Sequence, residues 1–482
     1  MGVLSELKPG HVWAHFERIC AIPHPSHHEE GVARYIMEQA ARLGFEARRD
    51  DVGNVLVVVP ATPGFEDRPT VVLQGHMDMV PVAAPGVTHD FEKEPITPYV
   101  DGDFVRARGT TLGADNGIGC ALALGIMSDA DARHGNLELL FTVNEEAGMD
   151  GAHGLKADFV TGRMLINLDS EQWGEFCISC AGGGDSVIRL PVERSAAEGM
   201  RLDVRVGGLR GGHSGIDIDK GHGNAIKILG RCLAAGRKSA DFRLVSIRGG
   251  TKRNAIADSA SAVVVVPAEK QEALREAVGA MAGVIGEELA RTDPGLRIEV
   301  AGGEADGAAP MGAQATGRMM DLLVALPQGV VSMSPEMKGL VETSTNVGVV
   351  ESDDAAVTVV TLTRSAIDSK MAAVRQQIAT IARLVGAEVE EPAGYPGWRP
   401  NPDSPLLKTA VDVYRRLHGE QPRIWAVHAG LECALFGEKL PGVDMISMGP
   451  TMHYVHSPDE ELYHPSVAPM YELLRALLEA VQ

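Results

Sequence analysis

The sequence predicts an α/β protein: a discontinuous domain with a mostly parallel sheet flanked by helices, plus an inserted α+β domain. Short, nearly continuous apolar runs, such as residues 55–59 and 137–143, are typical of strands buried on both faces. Helical patterns separate these runs, which favours a largely parallel sheet. The alternation changes after the glycine run at 182–184 and resumes beyond the Pro- and Gly-rich segment 391–400. We therefore expect one domain interrupted by another.

The length of 482 residues favours two or three domains. We expect residues 1–185 and 393–482 to form the discontinuous domain and residues 186–392 to form the inserted one. The order of elements in the insertion repeats weakly, as two tandem α+β units would.

Local patterns predict the elements of the discontinuous domain in order. The spacing Ser26-x-x-Glu29 is that of a capping box, and apolar residues at helical spacing then run to Gly44, which ends the helix. The next elements are strands at 55–59 and 71–73, a helix at 117–127, and strands at 137–143 and 164–168. Beyond the insertion we expect a helix at 404–417, a strand at 423–427, a helix from 431, a strand at 445–448 and a last helix ending at 481.

The inserted domain shows two successive sets of elements. The first set is a strand at 202–206, a helix at 224–235, strands at 242–248 and 261–266, a helix at 270–289 and a strand at 296–300. The second set is a helix at 313–326, strands at 342–350 and 356–363, a helix at 369–385 and a strand at 387–391.

Composition excludes several classes of function. With 44 Lys and Arg against 65 Asp and Glu, the net charge of −21 argues against nucleic acid or anionic lipid as a partner. No apolar stretch approaches the roughly 18 residues of a membrane span, and no signal sequence opens the chain, so we expect a cytoplasmic protein. The 6 cysteines are scattered and fit reduced thiols. The glycine-rich stretches lack the spacing of nucleotide-binding loops.

Acidic and histidine side chains recur where predicted strands end, which is where open α/β sheets place their ligands. His76 and Asp78 follow the strand at 71–73, Glu145 and Glu146 follow 137–143, Asp169 follows 164–168, and Asp115 precedes the helix at 117–127. In an extended backbone, His76 and Asp78 share a side, so the carboxylate can accept from one imidazole nitrogen and orient the other toward a metal ion.

Eight segments, in the same order along nearly the whole chain, resemble the M20 family of metallopeptidases, and within it the cytosolic dipeptidases that act on aminoacyl-histidine. They are Gly75-His-Met-Asp-Met-Val80, Thr111-Leu-Gly-Ala-Asp-Asn-Gly117, Asn144-Glu-Glu-Ala-Gly-Met149, Gly211-Gly-His-Ser-Gly215, Arg253-Asn-Ala-Ile256, Glu342-Thr-Ser-Thr-Asn346, His428-Ala-Gly-Leu-Glu-Cys433 and His456-Ser-Pro-Asp-Glu460.

The resemblance implies a catalytic centre with two divalent metal ions, zinc in the first place, with manganese or cobalt as alternatives. Asp115 would bridge the ions, His76 and Asp169 would complete one of them, and Glu146 and His456 the other. Nitrogen and carboxylate ligands without thiolate suit such a catalytic pair. Glu145 would then act as the general base that takes a proton from the metal-activated water. His453 is a rival to His456 that spacing does not exclude; the family pattern favours His456.

Further residues are assigned by the same resemblance. His213 would be delivered to the oxyanion by the inserted domain, which would serve as a lid or dimerisation domain, and the histidine could act in cis or in trans. Asn254 and Arg364 would hold the substrate backbone and carboxylate, and Glu432 would bind a free α-amino group. The sequence departs from the family pattern at Gln172-Trp173 and at Ala434, close to site residues.

We therefore expect metal-dependent hydrolysis of dipeptides with broad specificity that includes Xaa-His. Small peptides are the expected partners, and a homodimer through the inserted domain is left open. A carboxypeptidase or N-acyl-amino-acid amidohydrolase on the same fold is the alternative enzyme, which would not need Glu432 for a free amine. A non-catalytic peptide- or metal-binding protein is the alternative from another class, and the presence of Glu145 beside a complete ligand set disfavours it.

Overall fold

The computed structural model describes residues 2–302 and 309–482, which divide into two compact units. Unit 1 comprises the described residues of Met1–Ser179, Pro400–Ala426 and Leu431–Gln482, and unit 2 those of Cys180–Arg399 and Val427–Gly430. The predicted division places 427–430 in the first domain. The contacts instead group this segment with unit 2, where the backbone N–H of Ala181 donates to the carbonyls of Val427 and Ala429, at 3.2 and 2.9 Å.

The described helices are α1 (Gly10–Cys20), α2 (Glu30–Leu43), α3 (Ala114–Ser128), α4 (Glu145–Gly148), α5 (Asp150–Gly154), α6 (Ala225–Arg237), α7 (Gln271–Glu288), α8 (Ala313–Ala325), α9 (Asp368–Leu384), α10 (Pro405–His418), α11 (Glu432–Lys439) and α12 (Val467–Ala480). Within the described ranges, no helix is both long and apolar enough to span a membrane.

The described strands are β1 (Glu46–Arg49), β2 (Val55–Val59), β3 (Val71–His76), β4 (Pro98–Asp101), β5 (Phe104–Ala107), β6 (Leu137–Thr142), β7 (Met164–Asn167), β8 (Glu175–Cys180), β9 (Gly182–Pro191), β10 (Met200–Gly207), β11 (Arg243–Gly249), β12 (Ala260–Val266), β13 (Arg297–Gly302), β14 (Gly329–Met333), β15 (Val341–Ser352), β16 (Ala356–Ser365), β17 (Glu388–Glu390), β18 (Arg423–Val427), β19 (Asp444–Ser447), β20 (Met452–His453) and β21 (Glu461–Tyr463).

The main sheet has the order β1-β2-β6-β3-β7-β19-β8-β18, and its four central strands run parallel. The antiparallel pairs β1–β2, β2–β6 and β8–β19 lie outside that parallel centre. The predicted α/β class is thus confirmed. Val71 is in register with both Leu137 and Met164, so β3, β6 and β7 end at the same edge of the sheet. That register brings the residues that follow each strand together.

The predicted capping box at the start of α2 does not form. Glu29 occupies the N-cap position, and no side chain caps the helix. The hydroxyl of Ser26 instead donates to the Asp78 carboxylate at 2.8 Å. At the other end, Gly44 has φ 78° and terminates the helix as predicted, because glycine adopts the left-handed conformation at the lowest energetic cost.

The sheet of unit 2 has the order β13-β10-β12-β11-β15-β16-β9-β17, with β14 added beside β15. The first predicted set of elements supplies β10 to β13, and the second supplies β15 to β17; β14 was not predicted. The two halves meet where Arg248 and Gly249 of β11 pair with Glu351 and Val350 of β15. The predicted tandem sets therefore share one continuous sheet and one buried apolar core.

Leu73 lies within β3 and is fully buried. Leu73→Ala is expected to lower the free energy of unfolding by about 2–5 kcal/mol, because it removes apolar burial and leaves a cavity. Leu43→Ala, at the end of α2 where the leucine is 45% exposed, is the control and should change it by no more than about 0.5 kcal/mol. Urea unfolding followed by circular dichroism measures both. Equal shifts would contradict a core position for Leu73.

Candidate active site

The centre of the candidate site is His76, the last residue of β3, whose side chain is buried. Its Nε2 lies 3.0 Å from Asp115 Oδ1 and 3.3 Å from Asp169 Oδ1. Its Nδ1 lies 3.0 Å from the backbone oxygen of Asp78 and 3.3 Å from the Asp78 carboxylate. Asp78 thus orients the ring so that Nε2 faces the other carboxylates, as the H-x-D spacing predicted.

A second histidine meets the opposite side of Asp115. His456 Nε2 lies 3.1 Å from Asp115 Oδ2 and 2.9 Å from Glu146 Oε1. Asp115 therefore presents one oxygen to each imidazole, which is the arrangement expected of a carboxylate shared between two ions. The rival His453 pairs instead with Glu461, at 3.0 Å, so the geometry favours His456 as the ligand.

Asp78 also holds the turn that carries the two adjacent glutamates. Its Oδ1 accepts from the backbone N–H of Glu145 at 3.0 Å, and its Oδ2 accepts from that of Glu146 at 3.2 Å. The preceding residue, Asn144, has φ 53°, which turns the chain sharply from β6 into α4. One carboxylate therefore positions His76 and the Glu145-Glu146 pair together.

Burial and mutual repulsion act on the acidic groups of this centre. Burial raises the pKa of Asp169 to about 7, with the charges of Asp115 and Glu146 adding to the rise. Burial likewise raises the pKa of Glu145 well above its ordinary value. The contacts of His456 with Asp115 and Glu146 raise the pKa of its imidazole to about 11. The buried carboxyl groups therefore resist ionisation beside one another, and bound dications would favour their charged forms.

The donor atoms fit a metal. Glu146 Oε1 and Asp169 Oδ1 are buried and lack hydrogen-bond geometry with every described residue, although each lies within 3.3 Å of an imidazole nitrogen. Lone pairs that converge in this way are the donor set of a cation. His76, Asp115 and Glu146 each place one ligand atom within 4.8 Å of the others, so this group could hold a metal ion.

Glu432 lies in a buried polar network beneath the strand ends. Its Oε2 accepts from Gln74 Nε2 at 2.6 Å and from the Thr142 hydroxyl at 2.9 Å, while Oε1 is buried with no hydrogen-bond partner among the described residues. Burial raises the pKa of its carboxyl to about 8. Sequence reasoning missed Gln74 and Thr142; the available signal was their polar side chains near the carboxyl ends of two largely apolar strands.

The remaining predicted residues lie in unit 2. Arg364 Nη2 is 3.3 Å from His213 Nε2, and Arg364 Nη1 donates to the Tyr395 hydroxyl at 2.9 Å. The arginine is 4% exposed, and no carboxylate of a described residue forms an ion pair with it. Asn254 is exposed, and its backbone oxygen accepts from the N–H of Ser214 at 2.9 Å.

The two departures from the family pattern both lie in packed surroundings. Trp173 packs against Tyr414 and His418 of α10, with ring centroids 5.5 and 5.2 Å away. Ala434 is buried in α11. Trp173 therefore anchors the segment that follows Asp169 to a neighbouring helix.

Comparisons with known proteins agree with these observations. A sequence model of peptidase family M20/M25/M40 matches residues 72–480. The cytosol non-specific dipeptidase of Escherichia coli (strain K12) is 45% identical over 485 residues, covering 100% of this chain and 99% of the relative.

Solved structures give the same result. The aminoacylhistidine dipeptidase from Vibrio alginolyticus superposes with a TM-score of 0.93 at 44% identity, covering 99% of this chain and 98% of that chain. The aminopeptidase PepT from Bacillus cereus ATCC 10987 has the same fold, with a TM-score of 0.58 at 18% identity over 98% of this chain and 99% of that chain. The resemblance inferred from the motifs is confirmed, and this chain belongs to peptidase family M20/M25/M40.

Proposed function

We propose that this chain is a cytosolic dipeptidase that hydrolyses the peptide bond of dipeptides with broad specificity, including Xaa-His. The observation that carries the proposal is Asp115, whose two oxygens face His76 and His456 separately. The names of the Escherichia coli and Vibrio alginolyticus relatives support the substrate class, because identity near 45% extends over almost the whole chain.

The proposal assigns His76 and Asp169 to one divalent ion, Glu146 and His456 to the other, and Asp115 to both. When bound, the ions supply Lewis acidity and lower the pKa of water. The three carboxylates would offset most of the charge of two dications. Nitrogen and carboxylate donors without thiolate suit zinc, with manganese or cobalt as alternatives.

Glu145 is assigned to proton transfer. It is adjacent to the ligand Glu146, and the bond from its backbone N–H to Asp78 positions the side chain. Its carboxylate would take the proton of the attacking water and return it to the leaving amine. Beside bound dications the carboxylate is favoured over the acid, so Glu145 can begin the cycle as a base.

Arg364 is assigned to the substrate carboxylate. Among the described residues, the hydrogen-bond acceptors of this buried guanidinium are the neutral hydroxyls of Ser214 and Tyr395, so it lacks a counter-charge from them. An anionic group of the substrate would provide it through paired charge-assisted hydrogen bonds.

His213 would donate from Nε2 to the oxyanion, because its Nδ1 accepts from the backbone N–H groups of Gly215 and Ile216. Delivery in cis or from a second copy through unit 2 satisfies the same chemistry.

Asn254 and Glu432 complete the proposed contacts with the substrate. Asn254 would hold the peptide backbone, and the unpartnered Oε1 of Glu432 would accept from the free amine. An N-acylated substrate would not need the contact with Glu432. A comparison of free and N-acylated dipeptides therefore distinguishes a dipeptidase from an N-acyl-amino-acid amidohydrolase.

Chelation of the metal is expected to abolish hydrolysis of a dipeptide panel, and Zn²⁺ is expected to restore it with two ions per chain by elemental analysis. The panel contains Xaa-His and other dipeptides, their N-acetylated forms and tripeptides. Faster cleavage of the N-acetylated forms would favour the amidohydrolase. Tripeptides cleaved as fast as dipeptides would contradict the dipeptidase assignment, and full activity after chelation would contradict the metal centre.

Glu145→Gln removes the proton acceptor but keeps the side-chain volume. We expect kcat to fall by about 10²–10⁴-fold with the metal content unchanged, because proton transfer is lost and the ligand set is intact. Asp150→Asn, an exposed neighbour at the start of α5, is the control and should retain activity. Wild-type kcat in the Glu145 variant would remove that residue from its role.

Arg364→Lys keeps the charge but loses the forked pair of donors. We expect kcat/KM for a dipeptide with a free carboxylate to fall by about 10- to 150-fold, as for the loss of roughly 1.5–3 kcal/mol from a charged hydrogen bond. The carboxamide of the same dipeptide should be affected little. Arg253→Lys, half-exposed and paired with Asp185 at 3.1 Å, is the control. Equal losses on acid and amide would refute the assignment.

A further inference from the structure

Glu460 is a buried acid whose carboxylate is surrounded by backbone N–H groups. Its Oε2 accepts from Leu112 at 2.8 Å and from Gly113 at 3.1 Å. Its Oε1 accepts from Ala114 at 2.8 Å and from Asp115 at 3.3 Å. The side chain is 2% exposed, so these four donors supply its solvation.

These four donors form the loop that leads into α3. The N-cap, Gly113, has φ 71° and no side chain, so α3 receives no cap from its own segment. A Cβ at Gly113 would lie 2.9 Å from Met79 Sδ, which leaves no room for a local capping side chain. The backbone N–H groups of Leu112 to Asp115 instead share an acceptor that lies 345 positions beyond Asp115 in the chain.

Glu460 also belongs to the turn that carries His456. Its own N–H donates to the backbone oxygen of Ser457 at 3.1 Å, and the Ser457 hydroxyl donates to that of Tyr454 at 2.6 Å. His456 lies within this turn with φ 62°. One rigid carboxylate therefore joins the loop of Asp115 to the turn of His456, whose side chains meet at 3.1 Å.

We propose that Glu460 is a positioning residue that holds Asp115 and His456 in register for the second ion, the one assigned to Glu146 and His456. The inference rests on the proposed function, since that function assigns the ions. His76 and Asp169 are held independently of Glu460, because His76 ends β3, Asp169 lies two residues beyond β7, and these two strands pair with each other. Loss of Glu460 should therefore weaken the second ion more than the first.

The test is a Zn²⁺ titration of the full chain against a chromophoric chelator, which gives two stepwise affinities. In Glu460→Gln the amide nitrogen would face two backbone N–H donors, so the loop cannot close in the same way. We expect the affinity of one step to fall by about 10- to 100-fold, as for other residues that orient metal ligands, and the affinity of the other step to change less. Asp459→Asn removes the same charge from an exposed neighbour in the same turn and should leave both steps unchanged.

Urea unfolding with excess chelator separates positioning from stability. A variant that is less stable under these conditions but binds both ions like the wild type would overturn the proposal. Equal weakening of both steps, or the same loss in Asp459→Asn, would also overturn it. Glu460→Asp keeps the charge on a shorter side chain. It should weaken the same Zn²⁺-binding step by a smaller factor, and it serves as the test if the glutamine variant fails to fold. A wild-type chain that binds no Zn²⁺ would instead refute the proposed function.

Discussion

The shared carboxylate of Asp115 is the contact on which the candidate site depends. Its oxygens lie 3.0 and 3.1 Å from imidazoles that come from opposite ends of the sequence, one at the end of β3 and one in the turn before β21. The sheet has to bring β3, β6 and β7 to a common edge for these groups to meet. Backbone hydrogen bonds to Asp78 and Glu460 then fix the connecting segments.

The fold class could be predicted from the sequence because strands that are buried on both faces are apolar at most positions, and such runs are visible in the sequence. Val71 and Val72, like Leu139 and Leu140, are adjacent apolar residues that point to opposite faces of the sheet, and the structure buries all four. The capping box failed for the opposite reason, since Ser26 has a stronger partner, the Asp78 carboxylate, which is distant in sequence. Local spacing carries no information about such partners.

The same limit separates the predictable from the unpredictable parts of the site. His76 and Asp78 lie two residues apart, so their relation followed from the geometry of a strand. The choice between His453 and His456 depended on Glu461, which lies beside the first and not the second in the folded chain. The contact of Glu460 with four backbone donors could not be predicted from the pattern of side chains, because every residue except proline offers the same N–H group.

The division of unit 1 into separated stretches of chain has a consequence for how the protein is made. During translation, four residues are synthesised long before His456 and Glu460: His76, Asp115, Glu146 and Asp169. Most of unit 2 lies between the two groups in the sequence. Domains tend to fold in the order of synthesis, so the amino-terminal stretch waits for its last strands and helices. A chain that stops before residue 456 contains Asp115, Glu146 and Asp169 but lacks the second histidine. The complete centre can therefore form only after the carboxy-terminal stretch has been synthesised. A chain that terminates before His456 cannot form it.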